Sequence, residues 1–435
     1  MLRRDIPDDV RPAGPPPAGR ITIVSASVGA GHDGAADALA VELEAAGFQV
    51  DRHDFLDLLP ARLGHVLCSA YHRLLTSAPS SYQRIYAATE RSGSPGPAVR
   101  ALLRSAERRI LREIGPDSRA VVSTYPLASQ ALGALRRSGR LGIPALTYLT
   151  DFSVHPLWVA PGIDAHLAAH PVPAAQATAL DAAAVRVTGP VTGSRFIDVD
   201  EAERRATRDR FGLPHDAVLA LLVAGSWGVG PVRESAAEIR DSAVVEPVIV
   251  CGRNTALVEQ LRADGFRYVH EWIGDMPLLM RACDVLVQNA GGLTSLEAFA
   301  SGLPVASYRC IPGHGQTNAA ALDEAGLAVW IRRSEDLTSV LSDLAKGSLG
   351  ERQRAAGLAL FASNPGPAAA ISAAALPHPH ANRKRKLAVS RGKLVAAALT
   401  ATLSLGVAAP LAHAYESGSG RLPHLAHSFF ERYEL

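Results

Sequence analysis

Disulfide scaffolds, zinc fingers and thiol redox motifs are excluded by how little cysteine the 435-residue chain contains. Its four cysteines, Cys68, Cys251, Cys283 and Cys310, form no C-x-x-C pair and show no zinc-site His/Cys spacing. Cys251 and Cys283 lie in apolar, strand-like runs, where a free Cys acts as a small hydrophobe. A reducing, cytosolic catalytic region follows. Charge of one sign is also missing: the formal net charge is +2, so the overall balance points to no nucleic acid. The opening stretch, MLRRDIPDDVRPAGPPPAGR, holds no apolar run and is not a secretory signal. Its prolines make residues 1–20 a flexible lead-in. Acidic pairs suited to a metal are scarce. The one D-x-D, Asp198-Val-Asp200, precedes a charged helix rather than following a strand, and reads as a helix N-cap.

What the chain does hold is 48% hydrophobic, 20% charged and 5% aromatic residues, enough apolar sequence for two soluble domains. Short Val/Ile-rich runs alternate with longer helical stretches. ITIVSAS (21–27), FQVDRHD (48–54), AVVST (120–124), PALTYLT (144–150) and AVRVT (184–188) predict a first series of strands. A charged helix, EAERRATRDRF (201–211), leads into a second series: VLALLVAG (218–225), VEPVIVCG (245–252), CDVLVQNA (283–290), LPVASY (303–308) and LAVWI (327–331). Such alternation means βαβ units and mainly parallel sheets. The Gly/Pro-rich TGPVTGSRF (188–196) separates the two series. The pattern predicts an α/β chain of two Rossmann-like, doubly wound domains, 21–195 and 196–367, facing a cleft at the carboxyl ends of their strands.

From residue 368 the composition changes. Residues 368–393 read as a low-complexity linker ending in a basic cluster, Arg383, Lys384, Arg385, Lys386, Arg391 and Lys393, with no acid among them. Residues 394–412 carry no charge, and at about 1.5 Å per residue they approach the roughly 30 Å of a bilayer core. With Ala412-His413-Ala414 they read as a C-terminal hydrophobic helix, 394–414, transmembrane or signal-like, an Ala-rich helix packed on the protein being the alternative. Residues 415–435 form a tail.

Chemistry concentrates in the turns after strands. The first reads Ser25-Ala-Ser-Val-Gly29-Ala-Gly31-His32-Asp33; its glycines admit a ligand close to backbone, and a helix with free N–H groups follows. It has neither the third glycine of a dinucleotide fingerprint nor a Walker lysine. A histidine at such a helix start can take a proton from a hydroxyl, although a capping or packing role fits His32 as well. The second domain repeats the arrangement in Gly225-Ser226-Trp227-Gly228-Val-Gly230, where a helix N-terminus favours phosphate. Gln288-Asn-Ala-Gly291-Gly292-Leu-Thr294-Ser295-Leu-Glu297 places a carboxylate near a helix start, where it accepts both hydroxyls of a ribose or closes a capping box. Pro312-Gly-His314-Gly-Gln316-Thr-Asn318 supplies neutral hydrogen-bonding groups for sugar hydroxyls. Between the halves stands Thr150-Asp151-Phe152-Ser-Val-His155-Pro-Leu-Trp158, suited to hydroxyl recognition with an aromatic face, or to a capped turn.

Taken together, SASVGAGHDGAADAL, TDFSVHPLW, CGRN and NAGGLTSLEAFASGLPV resemble the monogalactosyldiacylglycerol synthase family. Its wider group contains the peptidoglycan lipid-intermediate N-acetylglucosaminyltransferase, and the similarity covers roughly residues 20–365. The resemblance implies the GT-B fold and a metal-independent, inverting transfer from a nucleotide sugar, UDP-linked, to a lipid acceptor at a membrane surface, without a cofactor. It implies His32 as base, Gly225 and Ser226 at the diphosphate, Trp272-Ile273 and Met276 at the nucleobase edge, and Glu297 on the ribose. Gly228, Gly291, Gly292, Thr294, Gln316 and Asn318 join the expected donor site. Asp151 is expected to help hold His32, and Gly29, Gly31, His155 and Trp158 to meet the acceptor. Where plant-type galactolipid synthases carry acidic character after Pro-Gly, this chain has His314-Gly-Gln316, which puts galactose as donor sugar in doubt. A nucleotide-sugar 2-epimerase and a non-catalytic, membrane-tethered nucleotide-binding module are the rival readings. No oligomeric state is implied.

Overall fold

The structure, a computed structural model, describes residues 18–93 and 95–376. Most of the lead-in, the basic cluster, the hydrophobic segment 394–414 and the tail lie outside the described residues. Among the described residues no helix is long and apolar enough to cross a membrane.

Among the described residues twelve strands form two six-stranded sheets. The first contains β1 (Arg20–Ser25), β2 (Gln49–Asp54), β3 (Ser118–Ser123), β4 (Ala145–Tyr148), β5 (Ala165–Ala168) and β6 (Val185–Val187) in the order β2-β1-β3-β4-β5-β6. The second contains β7 (Leu219–Val223), β8 (Glu246–Val250), β9 (Tyr268–His270), β10 (Val285–Gln288), β11 (Val305–Tyr308) and β12 (Val329–Ile331) in the order β12-β11-β10-β7-β8-β9. Neighbouring strands pair in parallel. A parallel sheet is covered on both faces, which is why β7 is the unbroken apolar run Leu-Ala-Leu-Leu-Val, buried throughout. The ten predicted strand runs are all found. β5 (Ala-His-Leu-Ala) and β9 (Tyr-Val-His) went unread because each is short and a histidine breaks its apolar run.

Strand order reverses between β1 and β3 in the first sheet and between β7 and β10 in the second. Open α/β sheets bind ligands at such reversals. The turn holding His32 follows β1, and the two glycine turns of the second domain follow β7 and β10, so each motif sits beside a reversal.

Two departures from a plain alternation position the site. Three helices, Leu63–Ser77, Pro79–Ser92 and Pro97–Glu113, fill the crossover from β2 to β3, and the first two reach the second domain. The helix Pro367–Ala375, read from the sequence as the start of a linker, returns to the first sheet. Its Ala368, Ile371 and Ala375 join the cluster of Ile21, Ile23, Leu39 and Leu43. That helical spacing was hidden by the low complexity around it.

Candidate functional site

The first turn is held by its own hydroxyls and carboxylates. Ser25 Oγ donates to Asp33 Oδ1 at 2.5 Å, and the hydroxyl of Ser27 donates to Asp54 at the end of β2. The helix Ala30–Ala45 begins there, with Gly29 as its N-cap and Gly31 and His32 in its first turn. His32 is half-buried. Its Nδ1 lies 2.9 Å from Thr150 Oγ1, its backbone carbonyl accepts from Thr124 Oγ1 at 3.2 Å, and the rings of Tyr125 and Trp158 flank it at 5.2 and 5.9 Å.

Asp151 does not hold His32. Its Oδ2 accepts from Trp158 Nε1 at 3.0 Å. Trp158 is only 1% exposed, so its ring is a core piece beside His32 and offers no face to a sugar or lipid. His155 is likewise occupied: Nε2 meets Thr89 Oγ1 at 3.2 Å, and Nδ1 accepts from the Leu157 amide at 3.2 Å. Burial lowers the pKa of its imidazole and keeps it neutral at neutral pH. The acceptor-side expectations for Trp158 and His155 therefore give way to packing and capping roles, while Gly29 and Gly31 remain at the opening of the turn.

In the second domain the glycine turn after β7 is clamped by two asparagines. Asn289 Nδ2 donates to Val229 O at 2.7 Å, and Asn254 Nδ2 to Gly228 O at 3.3 Å. Gly228 has φ +59°, and a Cβ there would overlap the carbonyl of Cys251, so only glycine fits. Gly225 and Ser226 stand at the outer edge, with nothing within 4 Å of a Cβ built at Gly225. A cavity of about 370 Å³ opens beside Gly228, Gly230, Asn254 and Arg233. Trp272 is exposed with the Arg253 guanidinium 4.9 Å from its ring centroid, and Ile273 and Met276 are half-buried against the core below.

After β10, Gln288 Oε1 accepts from the amides of Ala290 and Gly291 and fixes the second turn. Gly292 caps the helix Leu293–Ala300, which carries Thr294 and Glu297. The Glu297 carboxyl makes no side-chain bond among the described residues, so the capping box is not formed. Burial without a partner pushes it up to about 7.

The two domains meet at these turns. Leu293 lies 3.9 Å from a Cβ built at Gly31 and would overlap one at Gly34, so the helices bearing His32 and Glu297 touch through their first turns. Gly34 escaped the sequence reading, yet a glycine inside an Ala-rich helix is itself a mark of close approach. Beside this contact Tyr82 OH meets His314 Nδ1 at 2.8 Å, Tyr86 OH meets Thr317 Oγ1 at 3.3 Å, and Tyr71 and His72 pack on Trp227.

Asn318, expected to meet the donor sugar, is fully buried in this seam. Its Oδ1 accepts from Ser153 N at 2.8 Å and Ser153 Oγ at 3.2 Å, and its Nδ2 donates to Ala290 O at 3.2 Å. It fastens one domain to the other and, at 0% exposure, does not stand open to a sugar. Gln316 lines a cavity of about 440 Å³ on the seam, with Pro79, Ser80, Gln83, Arg84 and Pro312. Burial lowers the pKa of His314, which the Asp151 charge raises and His32 lowers further. Asp200 caps the helix Glu201–Phe211 through the Glu203 amide, and Asp198 pairs with Arg354, so the D-x-D is structural. Cys251 and Cys283 are free and buried, as the sequence implied.

A family described as Monogalactosyldiacylglycerol (MGDG) synthase matches residues 32–192. The Processive diacylglycerol beta-glucosyltransferase of Bacillus licheniformis is 27% identical over 244 residues, 54% of this chain and 62% of that protein. Its namesake from Bacillus subtilis is 28% identical over 246 residues, 54% and 63% respectively. The chain thus spans about three fifths of the length of these curated relatives. Among solved structures, the sucrose-phosphate synthase from Thermosynechococcus elongatus superposes with a TM-score of 0.53 at 15% identity, over 82% of this chain and 96% of that one. The glycotransferase of kitacinnamycin gives 0.55 at 17%, over 83% and 100%. Anabaena HepE in complex with UDP-glucose gives 0.50 at 13%, over 82% and 98%. These likenesses show the fold, two parallel-sheet α/β domains of the GT-B kind. The resemblance carried by the sequence motifs is borne out.

Proposed function

We propose that this chain is an inverting glycosyltransferase moving a hexose or N-acetylhexosamine from a UDP-linked sugar to a diacylglycerol-type lipid, without metal or cofactor. The observation that carries the reading is the meeting of two helix starts, one bearing His32 with Nδ1 already engaged, the other bearing the unpartnered Glu297. The acceptor class is supported by the diacylglycerol named in the curated relatives, and the nucleotide by the UDP-glucose in the Anabaena structure.

In this reaction His32 Nε2 takes the proton of the lipid hydroxyl, and that oxygen bonds the anomeric carbon from the face opposite the diphosphate. The carbon–oxygen bond to the diphosphate breaks, and the nucleoside diphosphate leaves with the electron pair. The helix start after Gly291–Gly292 and the turn Gly225–Gly230 present backbone N–H groups to the developing charge. Glu297 accepts the ribose hydroxyls. An epimerase needs acidic groups around the sugar; the loop there offers His314 and Gln316 instead.

The catalytic region is placed on the cytoplasmic side, held to the membrane by residues 394–412, a proposal that rests on the uncharged run and its basic flank alone. Alkaline carbonate washing of membranes tests it: protein found in the soluble fraction refutes anchoring. For the activity, the full chain is incubated with UDP-glucose, UDP-galactose or UDP-N-acetylglucosamine and diacylglycerol vesicles. A glycolipid product resolved by thin-layer chromatography is expected. Release of free epimerised nucleotide sugar, or nucleotide binding without turnover, would instead select one of the rivals.

A further inference from the structure

A neutral imidazole carries one proton, and the nitrogen that holds it decides whether the ring is a base or a donor. His32 Nδ1 lies 2.9 Å from Thr150 Oγ1, immediately after β4. We infer that Thr150 is a positioning residue, whose oxygen accepts Nδ1–H from His32 and so leaves Nε2 as the unprotonated nitrogen facing the cleft. The carboxylate next in sequence is turned away, its Oδ2 engaged by Trp158 Nε1. A hydroxyl thus stands where a carboxylate would otherwise orient the ring.

The ring is held from several sides. Tyr125 and Trp158 flank it, Thr124 Oγ1 holds its backbone carbonyl, and Asp33 beside it is engaged by Ser25. The charged and titratable groups around it are Asp33 on its own helix, Asp151 beyond Trp158, Tyr125, and His314 across the seam. A hydroxyl orients the ring without adding negative charge, so it stabilises the imidazolium less than a carboxylate does.

The effect on turnover rests on the transferase reading; the tautomer does not. Nitrogen-15 spectra of the histidine-labelled full chain, with the His32 signals identified by His32→Gln, are expected to show Nδ1 protonated and Nε2 bare at neutral pH. Protonated Nε2 in the wild-type protein overturns the inference, whatever the substrate. With UDP-glucose and diacylglycerol vesicles, Thr150→Val is expected to lower kcat by about ten- to a hundredfold, with KM for UDP-glucose nearly unchanged. Thr150→Ser should restore most of it. Thr150→Asp should move the acid limb of the kcat profile to higher pH. A Thr150→Val enzyme with wild-type kcat, or a Thr150→Asp enzyme with an unmoved limb, also overturns it. A wild-type protein that turns over none of the donors strikes the transferase reading and leaves the spectra to decide.

Discussion

Opposing demands meet on Glu297. Its carboxyl holds a proton up to about 7 in the folded protein, against an ordinary value of 4.5, because burial penalises the charge. The folded state therefore binds more protons than the unfolded one between those values, and stability falls as pH rises through that window. Glu297→Gln removes the slope and is expected to stabilise the protein at pH 8 by about 1–3 kcal/mol, read from urea denaturation. Ribose hydroxyls favour the ionised form, so affinity for UDP-glucose should rise from pH 6 to pH 8 in the wild type and lie flat in the glutamine variant. Glu297→Ala should weaken that affinity by about 1.5–3 kcal/mol, the scale of a charged hydrogen bond. Equal calorimetric affinities for alanine variant and wild type would reduce the residue to a helix-end carboxylate. His32 answers to a different readout. His32→Ala should cut turnover by about 10²–10⁴-fold and leave nucleotide affinity intact, as befits a group acting in the transition state; undiminished turnover would remove it from the chemistry.

The glycine turns were legible because each follows a buried strand and precedes a helix, a local pattern that survives without any partner. The occupations of His155 and Asn318 were not, since each is decided by a residue distant in sequence or across the seam, and the burial of Trp158 beside His32 depends on another helix. Asn318 shows this most clearly: a polar residue in a polar loop reads as a ligand contact until Ser153, from the other domain, takes its oxygen. Asn318→Ala should accordingly cost about 1–3 kcal/mol of stability by leaving the Ser153 amide buried and unpaired. It should lower kcat more than it weakens UDP-glucose binding. A stable variant with a selective loss of donor affinity would return Asn318 to the sugar site. Thr150 was quoted in the sequence as part of a motif, yet its role depends on where the first turn of another helix places a ring.

At the scale of the whole molecule, the helix Pro367–Ala375 makes the chain cross between the sheets a second time. Ile371 is its most buried side chain, at 0% exposure, and Ile371→Ala should destabilise the first domain by about 2–5 kcal/mol. Urea unfolding followed by tryptophan fluorescence would check this, and an unchanged midpoint would mean the helix docks without contributing. The two crossings run side by side, for a Cβ at Gly189 would lie 2.7 Å from Asn364 Cβ, and Gly189 has φ +86°. Two adjacent crossings join the halves at one place, along the line through Gly189 and Asn364, like two pins set close together. The tyrosine–His314 contacts, the Ser153–Asn318 bonds and the Leu293 seat against Gly34 join the same halves at the seam itself. On the proposed transferase reading, weakening those seam contacts should ease donor entry, while the paired crossings keep the two turns in register.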